Sequence, residues 1–358
     1  LGFVDFTPYL ASGTDVDGGA VGFQGDSSHL IVTSLGKQSG AVGRIQEGVN
    51  SIADGSLTGS SRLLSVNAGT FIEEVDVNKS LKLYGAQAGV DARGRLVGDE
   101  TIIRPLTSAP DPNSPSSKAL IYVSASNVRI DGLLLDGDNT SLTSGITRGG
   151  ADIDASEGIA SYEGVSGITV ENNIIRNTSY SGVDFYNYTN GGAATSGNVI
   201  RHNEIKNIGA FDWGLGVLVY NNFYADIVEN TITDVRVGVQ TGNYSQANPG
   251  VTGSISDNVI SASRRGIFYN LHYTNASPFT ISGNTIIANN VYASNDSSPL
   301  PTTYWTGLLI SSKGTGVGAT ISNNTIDGSV SSLLSSGYTS WNNQANLTVL
   351  DVVPVMAP

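Results

Sequence analysis

Cysteine is absent from the 358-residue chain. Its absence excludes disulfide bonds, a thiolate nucleophile and any cysteine-ligated metal site. Histidine is scarce as well, because the chain contains only His29, His202 and His272, widely separated in sequence. A zinc site needs several nitrogen or sulfur ligands close together, so none is expected and no metal ligands are assigned.

Charged residues make up only 14% of the chain, and the formal net charge is −13. Nucleic-acid binding without sequence preference relies on Lys and Arg to neutralise phosphates, so this acidic balance argues against a nucleic-acid partner. No apolar run reaches the roughly 18 residues of a membrane-spanning helix, and membrane insertion is not expected. The chain begins at Leu1 without a charged and then apolar leader, which favours a mature or excised segment of a longer protein. The acidic composition, rich in Ser, Thr, Asn and Gly, is common in secreted bacterial proteins, so an extracellular or cell-surface location is expected.

A repeat of the form aliphatic-x-x-Asn-x-Ile recurs six times. The copies are Val170–Asn173–Ile175, Ile200–Asn203–Ile205, Ile227–Asn230–Ile232, Ile255–Asn258–Ile260, Ile281–Asn284–Ile286 and Ile321–Asn324–Ile326. Successive asparagines are 30, 27, 28, 26 and 40 residues apart. The last spacing fits the others if the stretch from Val291 to Tyr304 is an inserted loop. Val128–Asp131–Leu133 looks like an earlier copy, with Asp in the Asn position.

Each copy is followed by a glycine and an aliphatic residue, which mark a second short strand. These pairs are Gly182-Val183, Gly216-Val217, Gly238-Val239, Gly266-Ile267 and Gly307-Leu308. A period near 28 residues is too short for a βαβ unit and too rich in strands for a leucine-rich repeat. One coil of a parallel β-helix fits it. Stacking coils about 4.8 Å apart would bury the inward Val and Ile and align the asparagines in one turn.

The ends depart from the repeat. Ile45, Val49 and Ile52 are spaced at helical intervals and precede a glycine, which predicts a short amphipathic helix over about 43–53 that caps the open end of the core. Residues 1–40 are expected to be a strand and loop extension or the end of a preceding module. The β-helix domain is placed at 41–358, with repeats over about 63–350, and the last strand at 347–353 could close the core or lead to further domains.

These repeats, with the order of the helix, Ala68-Gly69-Thr70-Phe71, Leu83-Tyr84-Gly85-Ala86 and Thr101-Ile102-Ile103, resemble the right-handed parallel β-helix proteins of the carbohydrate-binding and sugar-hydrolase, pectin-lyase-like superfamily. The resemblance implies an all-β right-handed solenoid, and the ends are similar to a module of a large secreted surface protein. It does not extend to catalytic residues. The Gln-Asp-Thr-Leu and Asp-Phe-Ile-Phe-Gly signatures of pectin methylesterases are absent, as is the Arg-x-Pro-x-x-Arg element of pectate lyases.

Counting along each second strand gives an outward row made of Ala160, Asp184, Leu218, Gln240, Phe268 and Leu309. Two residues further on, Tyr162, Tyr186 and Tyr220 occupy equivalent positions in three coils, and Trp213, Tyr244 and His272 fall in nearby loops. Sugar rings stack on aromatic rings, so these six residues are candidate substrate-binding residues. The alternative interpretation is ordinary packing of tyrosines between coils.

Four charged residues on the same flank are candidate catalytic residues. Asp184 and Asp212 could approach the separation of about 5–9.5 Å that glycoside hydrolysis requires. Arg236 or Arg265 could instead stabilise the enolate formed by a lyase or epimerase, with Tyr220 or His202 as the base. None of these sets is an established motif.

Three acidic loops, Asp136–Asn139, Asp152–Asp154 and Asp15–Gly18, alternate carboxylates in a way that could bind Ca²⁺. None matches a complete calcium loop, and the same residues are typical of turns. No other cofactor is predicted.

Two functions remain open. The first is a noncatalytic secreted surface module, structural or adhesive, whose partner is a polysaccharide or cell-surface glycan. The second is a polysaccharide-active enzyme, a lyase, epimerase or glycoside hydrolase that acts on a linear polymer along the flank. The absence of known enzyme signatures favours the first, and the aromatic and charged flank favours the second.

Overall fold

The computed structural model describes residues 4–53, 61–116, 118–187, 194–243, 253–271, 275–289, 293–296, 306–312, 316–327, 345–350 and 353–355. Within these residues the regular secondary structure is almost entirely β-strand, with a single α-helix, Arg44–Ser51. The strands form two large sheets and one small antiparallel pair, Thr147–Arg148 with Ala151–Asp152.

The first sheet has twelve strands, which follow one another in spatial order along the stack. They are Tyr9–Leu10, His29–Val32, Leu63–Val66, Lys82–Tyr84, Arg129–Asp131, Thr169–Glu171, Asn198–Arg201, Ala225–Val228, Gly253–Ser256, Asn275–Ser282, Gly316–Ser322 and Ala345–Leu350. Tyr9–Leu10 pairs antiparallel with His29–Val32, and all later pairs in this sheet are parallel.

The second sheet has fifteen strands, all paired in parallel. They are Gly69–Ile72, Val75–Val77, Thr101–Arg104, Ala119–Val123, Leu133–Asp136, Ala155–Ser161, Ile174–Tyr186, Glu204–Ile208, Leu215–Tyr220, Thr231–Asn243, Val259–Leu271, Thr285–Ala288, Thr306–Ser312, Thr325–Asp327 and Val353–Val355. Each strand pairs with strands one coil away. The chain is therefore a parallel β-helix, as the repeat predicts.

The repeat register is confirmed by the pairing. Val170, Ile200, Ile227, Ile255, Ile281 and Ile321 lie side by side in successive coils of the first sheet. Their side chains point into one continuous apolar core in which they are almost fully buried. The apolar core therefore runs through the whole stack of coils, and each coil buries its apolar side chains against its neighbours.

The repeated asparagines form a ladder at the turn between the two sheets, which we call the Asn ladder; its members are Asn173, Asn203, Asn230, Asn258, Asn284 and Asn324. The backbone N–H and the Nδ2 of each of the first five donate to Oδ1 of the asparagine in the following coil, at 2.8–3.2 Å. Each Nδ2 also donates to a carbonyl of the preceding coil, at 2.8–3.0 Å. All six side chains are buried. The ladder therefore satisfies a column of polar groups that no water reaches.

The earlier copy of the repeat, predicted at Val128–Asp131–Leu133, was assigned a register that is wrong by two residues. Ile130 pairs with Val170 and Leu135 with Ile175, so Leu133 occupies the Asn position and Asp131 does not. The Leu133 N–H donates to Asn173 Oδ1 at 2.9 Å, which ends the Asn ladder. A strand pattern repeats every two residues, so the aliphatic spacing alone could not distinguish two registers that differ by two.

The glycines of the second strand leave room for the isoleucines of the repeat. A Cβ built on Gly216 would lie 2.4 Å from Cγ2 of Ile232 and 2.6 Å from the Gly238 oxygen. The equivalent glycines of other coils face the corresponding isoleucines at 2.1–2.5 Å. The glycine of one coil and the isoleucine of the next therefore pack directly against each other.

The helix Arg44–Ser51 lies against the first coils, with Ile45 and Val49 buried in the core. Gly43 has no side chain to cap the helix. Glu73 does so instead, because its carboxylate oxygens accept hydrogen bonds from the N–H groups of Ile45 at 3.1 Å and Gln46 at 3.0 Å. Burial raises the pKa of Glu73.

The parallel sheet already includes His29–Val32, which pairs with Leu63–Val66, so it extends into the first 40 residues. At the other end, the strands Ala345–Leu350 and Val353–Val355 include residues 347–350 and 353 of the predicted last strand, and residues 351–352 lie outside the described residues. The domain boundary at residue 41 stays a prediction.

An aromatic groove and a basic pocket as candidate functional site

The outward row predicted from counting is confirmed. Ala160, Asp184, Leu218, Gln240, Phe268 and Leu309 pair in this order across consecutive coils, and the row continues backward through Tyr122 to Asp76. A second row precedes it by three residues and consists of Ala119, Glu157, Ser181, Leu215, Val237, Arg265 and Thr306. These two rows lie on the side of the second sheet that faces away from the main core, and the candidate site is built over them.

A groove of about 670 Å³ lies over the early part of these rows. We call it the aromatic groove, because Tyr122, Tyr162, Tyr180 and Trp213 line it. Ala119, which also lines it, leaves space beside these larger side chains.

The loop of residues 105–116 lies beside the aromatic groove, and Pro112, Asn113, Ser114 and the nearby Lys118 contribute to the lining. Hydrogen bonds hold this loop in place. Asn139 Nδ2 donates to the Pro105 carbonyl at 2.9 Å, and the Ala109 N–H donates to the Asp154 carbonyl at 2.8 Å. The Ser179 hydroxyl donates to the Pro110 carbonyl.

The aromatic rings of the groove are arranged in two pairs. Tyr122 and Tyr162 have centroids 5.7 Å apart, and Tyr180 and Trp213 have centroids 5.5 Å apart in an edge-to-face arrangement. Trp213 is 46% exposed, the largest exposed aromatic surface of the four. Rings held in this way lose little conformational entropy when a ligand stacks on them.

The structure separates the candidate binding residues. Tyr162 and Trp213 line the aromatic groove. Tyr186 and Tyr220 stack on each other at 5.8 Å, and Tyr220, which is 4% exposed, packs with Leu215 in a separate apolar cluster. That arrangement is packing between coils, the alternative noted for the tyrosine row. Tyr244 and His272 lie outside the described residues.

Glu157 is the carboxyl group at the base of the aromatic groove, and it is only 7% exposed. The Tyr162 hydroxyl donates to Glu157 Oε1 at 2.5 Å. Burial raises the pKa of Glu157, and this hydrogen bond opposes the rise. Sequence reasoning missed Glu157, although it is the only acidic residue that directly precedes a glycine of the Gly-aliphatic motif in the aligned coils.

Asp184 lies beneath the surface, 2% exposed, and its Oδ1 has no hydrogen-bond partner in the described part of the chain. Burial raises the pKa of Asp184 well above its ordinary value, and the nearby charge of Glu157 raises it further. The two carboxyls therefore compete for ionisation, because a second negative charge in a poorly solvated region is unfavourable.

Tyr122 is a hydrogen-bond donor in the same groove. Burial and the negative charge of Glu163 raise the pKa of Tyr122 to about 12, and its hydroxyl donates to Glu163 Oε1 at 3.3 Å. The phenol consequently keeps its proton throughout the physiological range.

A second concavity, of about 390 Å³, adjoins the aromatic groove at Trp213, which lines both. We call it the basic pocket, because Arg236, Arg264 and Arg265 line it together with Asp212. Three of the four candidate catalytic residues, Asp212, Arg236 and Arg265, thus come together here. Asp184 is not among the lining residues of either concavity and lies beside Glu157 instead.

Asp212 and Arg236 form a salt bridge within the basic pocket. Arg236 Nη1 lies 3.0 Å from Asp212 Oδ1 and 3.8 Å from Asp296 Oδ1. The Asp212 N–H donates to Asp296 Oδ1 at 2.9 Å. This network joins the described part of the predicted insertion, residues 293–296, to the flank of the β-helix.

His202, the alternative base, occupies the turn just before Asn203 in the left-handed backbone region. Its Nε2 lies 2.7 Å from Glu229 Oε2, and it does not line either concavity. Its position fits a surface role in the turn of the Asn ladder.

The acidic loops make hydrogen bonds and ion pairs within the protein. Asp136 lies between Arg104 and Arg176, and Asp152 accepts hydrogen bonds from the N–H and the hydroxyl of Ser144. In the described part of the chain, no three His, Cys, Asp or Glu side chains are grouped so that they could hold a metal ion. In the same residues, no helix is long and apolar enough to span a membrane.

No protein-family model matches the chain, and no curated protein matches it. Among solved structures, the chain is similar to pectin methylesterase from Aspergillus niger, with 13% identity over 92% of this chain and 86% of the other and a TM-score of 0.43. A DFA-IIIase from Arthrobacter chlorophenolicus A6 in complex with DFA-III has 13% identity, 88% and 82% coverage and a TM-score of 0.47. The A-module of a mannuronan C-5 epimerase from Azotobacter vinelandii has 13% identity, 87% and 96% coverage and a TM-score of 0.39. No residue roles are transferred from these proteins.

Proposed function

We propose that the chain is a glycan-binding β-helix module, and that the aromatic groove holds the sugar units of a polysaccharide or cell-surface glycan. The observation that carries the proposal is the presence of Tyr122, Tyr162, Tyr180 and Trp213 along one groove of about 670 Å³. Sugars present apolar C–H faces that stack on aromatic rings, and their hydroxyls pair with polar groups at the edges.

The charge of the aromatic groove favours uncharged sugar units. Its lining includes the carboxyls of Glu74, Asp76 and Glu157 but only one cationic group, Lys118. Anionic units would therefore meet net repulsion within the groove, although carboxyls remain good acceptors for sugar hydroxyls.

The wider setting is part of the same proposal. We infer that the protein is secreted, that it acts at a bacterial cell surface in an adhesive or structural role, and that further domains can accompany it. We also infer that the helix Arg44–Ser51 caps the first coil, because Ile45 and Val49 belong to the core that the open end would expose.

The test is a screen of neutral and charged oligosaccharides for binding, followed by calorimetric titration of those that bind. Trp213→Ala is expected to weaken binding about tenfold, because stacking on an exposed ring contributes on the order of 1 kcal/mol or more. Phe23→Ala is the matched control, since Phe23 is an exposed aromatic residue that lines none of the concavities described above. Absence of any glycan ligand, or equal affinities of the two variants, would refute the proposal.

A second candidate, glycan cleavage, is favoured by one observation. Glu157 is a buried carboxyl with a raised pKa that faces the aromatic groove, and a general acid needs a raised pKa to hold its proton near neutral pH. The same ligands should therefore be incubated with the protein and examined for new reducing ends and for the ultraviolet absorbance of unsaturated products. Cleavage that disappears in Glu157→Gln would identify an enzyme, and ligands that are bound but remain intact would identify a binding module.

A further inference from the structure

The basic pocket continues the surface of the aromatic groove, because Trp213 lines both. A glycan chain stacked on the exposed Trp213 ring would therefore pass from one concavity into the other. The inference that follows rests on the proposed function and concerns the chemistry of the sugar unit beyond Trp213.

Two guanidinium groups in the basic pocket form no salt bridge and no hydrogen bond with the described part of the chain. Arg236 is paired with Asp212 and Asp296, whereas Arg264 and Arg265 make no salt bridge or hydrogen bond with the described residues. Arginine in a concave, partly buried position is usually paired, because its charge is poorly solvated there.

Confinement of these charges in the pocket lowers their pKa values. Burial, and then the positive charges of Arg264 and Arg236, lower the pKa of Arg265 to about 10. Burial and Arg236 also lower the pKa of Arg264, while Asp212 partly opposes the shift. An anion bound between the two side chains would remove this repulsion.

The β-helix itself fixes the position of these charges. Arg265 follows Leu215 and Val237 in the second outward row, so neither of the two residues that precede it in that row is a carboxylate. Its guanidinium carbon lies 4.5 Å from the centroid of the Phe268 ring. This contact orients the planar group and leaves its N–H donors to other partners.

We infer that the basic pocket binds an anionic substituent, a carboxylate or a sulfate, on a sugar unit next to those held in the aromatic groove. The ligand is then a heteroglycan. Neutral units stack on Tyr122, Tyr162 and Trp213, and an anionic unit lies against Arg264 and Arg265. A polymer that is charged at every unit is a poorer ligand, because its other charges would meet Glu74, Asp76 and Glu157.

The experiment compares oligosaccharides that are identical except for one terminal unit, which is neutral, carboxylated or sulfated. The measured quantity is the ratio of the affinity for each charged form to the affinity for the neutral form. In the unaltered protein at low salt we expect a ratio of about ten, since charge-assisted hydrogen bonds from a guanidinium to an anion are strong. The ratio should fall as salt screens the charges.

The variants test which residues produce the ratio. In the double variant Arg264→Gln and Arg265→Gln it is expected to fall to about one, and in Arg265→Lys to an intermediate value, because lysine keeps the charge but not the planar donor pair. Arg93→Gln is the matched control, since Arg93 is a surface arginine paired with Asp91 and should leave the ratio unchanged. Thermal unfolding of each variant checks that the fold is retained.

The outcomes separate the two proposals. A ratio of one in the unaltered protein, or a ratio that survives the double variant, overturns the anionic subsite while leaving the aromatic groove as a glycan site. Failure of both neutral and charged forms to bind overturns both. A larger ratio for the carboxylate than for the sulfate, or the reverse, identifies which anion the pocket takes.

Discussion

Replacing Asn230 with alanine is expected to destabilise the β-helix strongly, because this side chain occupies the middle of the Asn ladder. Its Nδ2 donates to the carbonyls of Ile200 at 2.9 Å and Val228 at 3.2 Å and to Asn258 Oδ1 at 3.0 Å. Its Oδ1 accepts from the backbone N–H of Asn203 at 3.0 Å and from that residue's Nδ2 at 2.9 Å. Alanine removes all five bonds at a position without access to water.

The magnitude follows from the groups left without a partner. The backbone N–H of Asn203 and the carbonyl of Ile200 would both lose the side-chain bond that satisfies them, and each buried unsatisfied group costs about 1–3 kcal/mol. We therefore expect the free energy of unfolding to fall by about 2–5 kcal/mol. Asn230→Asp keeps the shape but replaces the amide donor with a carboxylate oxygen, which would face three acceptor oxygens, and it should destabilise at least as much at neutral pH.

Urea unfolding monitored by circular dichroism measures this change. The control is Asn67→Ala, since Asn67 is exposed and outside the Asn ladder, and its substitution should change the free energy by less than about 0.5 kcal/mol. A decrease in the free energy of unfolding of less than about 1 kcal/mol for Asn230→Ala would refute the reasoning, because the hydrogen bonds of the Asn ladder would then contribute little to stability.

Two further predictions concern the repeat and the buried carboxyls. Gly238→Ala would place a Cβ 2.3 Å from Ile260 Cγ2 and 2.4 Å from the Gly266 oxygen. Urea unfolding should therefore show that the free energy of unfolding falls by about 1–3 kcal/mol. An unchanged free energy would mean that the coils can separate locally. The raised pKa of Asp184 stabilises the fold below its ordinary pKa, and this contribution disappears as the pH rises through the folded-state pKa. Asp184→Asn should therefore gain thermal stability relative to the parent as the pH rises above about 4, and a pH-independent difference would contradict the assignment.

Part of the candidate site could be predicted from the chain. Counting two residues per side-chain alternation placed Asp184, Gln240 and Phe268 in one row, and the pairing confirms it. Tyr162 and Trp213 were chosen on the same flank and both line the aromatic groove. Their assignment to glycan binding stays a prediction, as do the catalytic roles proposed for Asp184, Asp212, Arg236 and Arg265.

The rest of the site depends on loops and coils that do not follow the sequence repeat. Glu157 is in regular register with Ser181, but its place in a groove depends on its contact with Tyr162 and on the side chains from other loops that line the same concavity. Tyr122 belongs to a coil without the Asn-x-Ile motif, and Lys118 comes from a loop whose path depends on distant hydrogen bonds. These contacts join residues that are dozens of positions apart, and sequence periodicity carries no information about them.

The sequence by itself determined the class of fold, because six spaced asparagines and the glycines that face the isoleucines allow only coils stacked in parallel to satisfy their buried amides and core. Only the tertiary structure decided which outward side chains form a site. Tyr162 and Trp213 line the aromatic groove, whereas Tyr186 and Tyr220 pack with Leu215 in a separate apolar cluster. The physical reason is that core register is set between adjacent coils, whereas a groove is set by long-range contacts that cover some of the surface and leave the rest open.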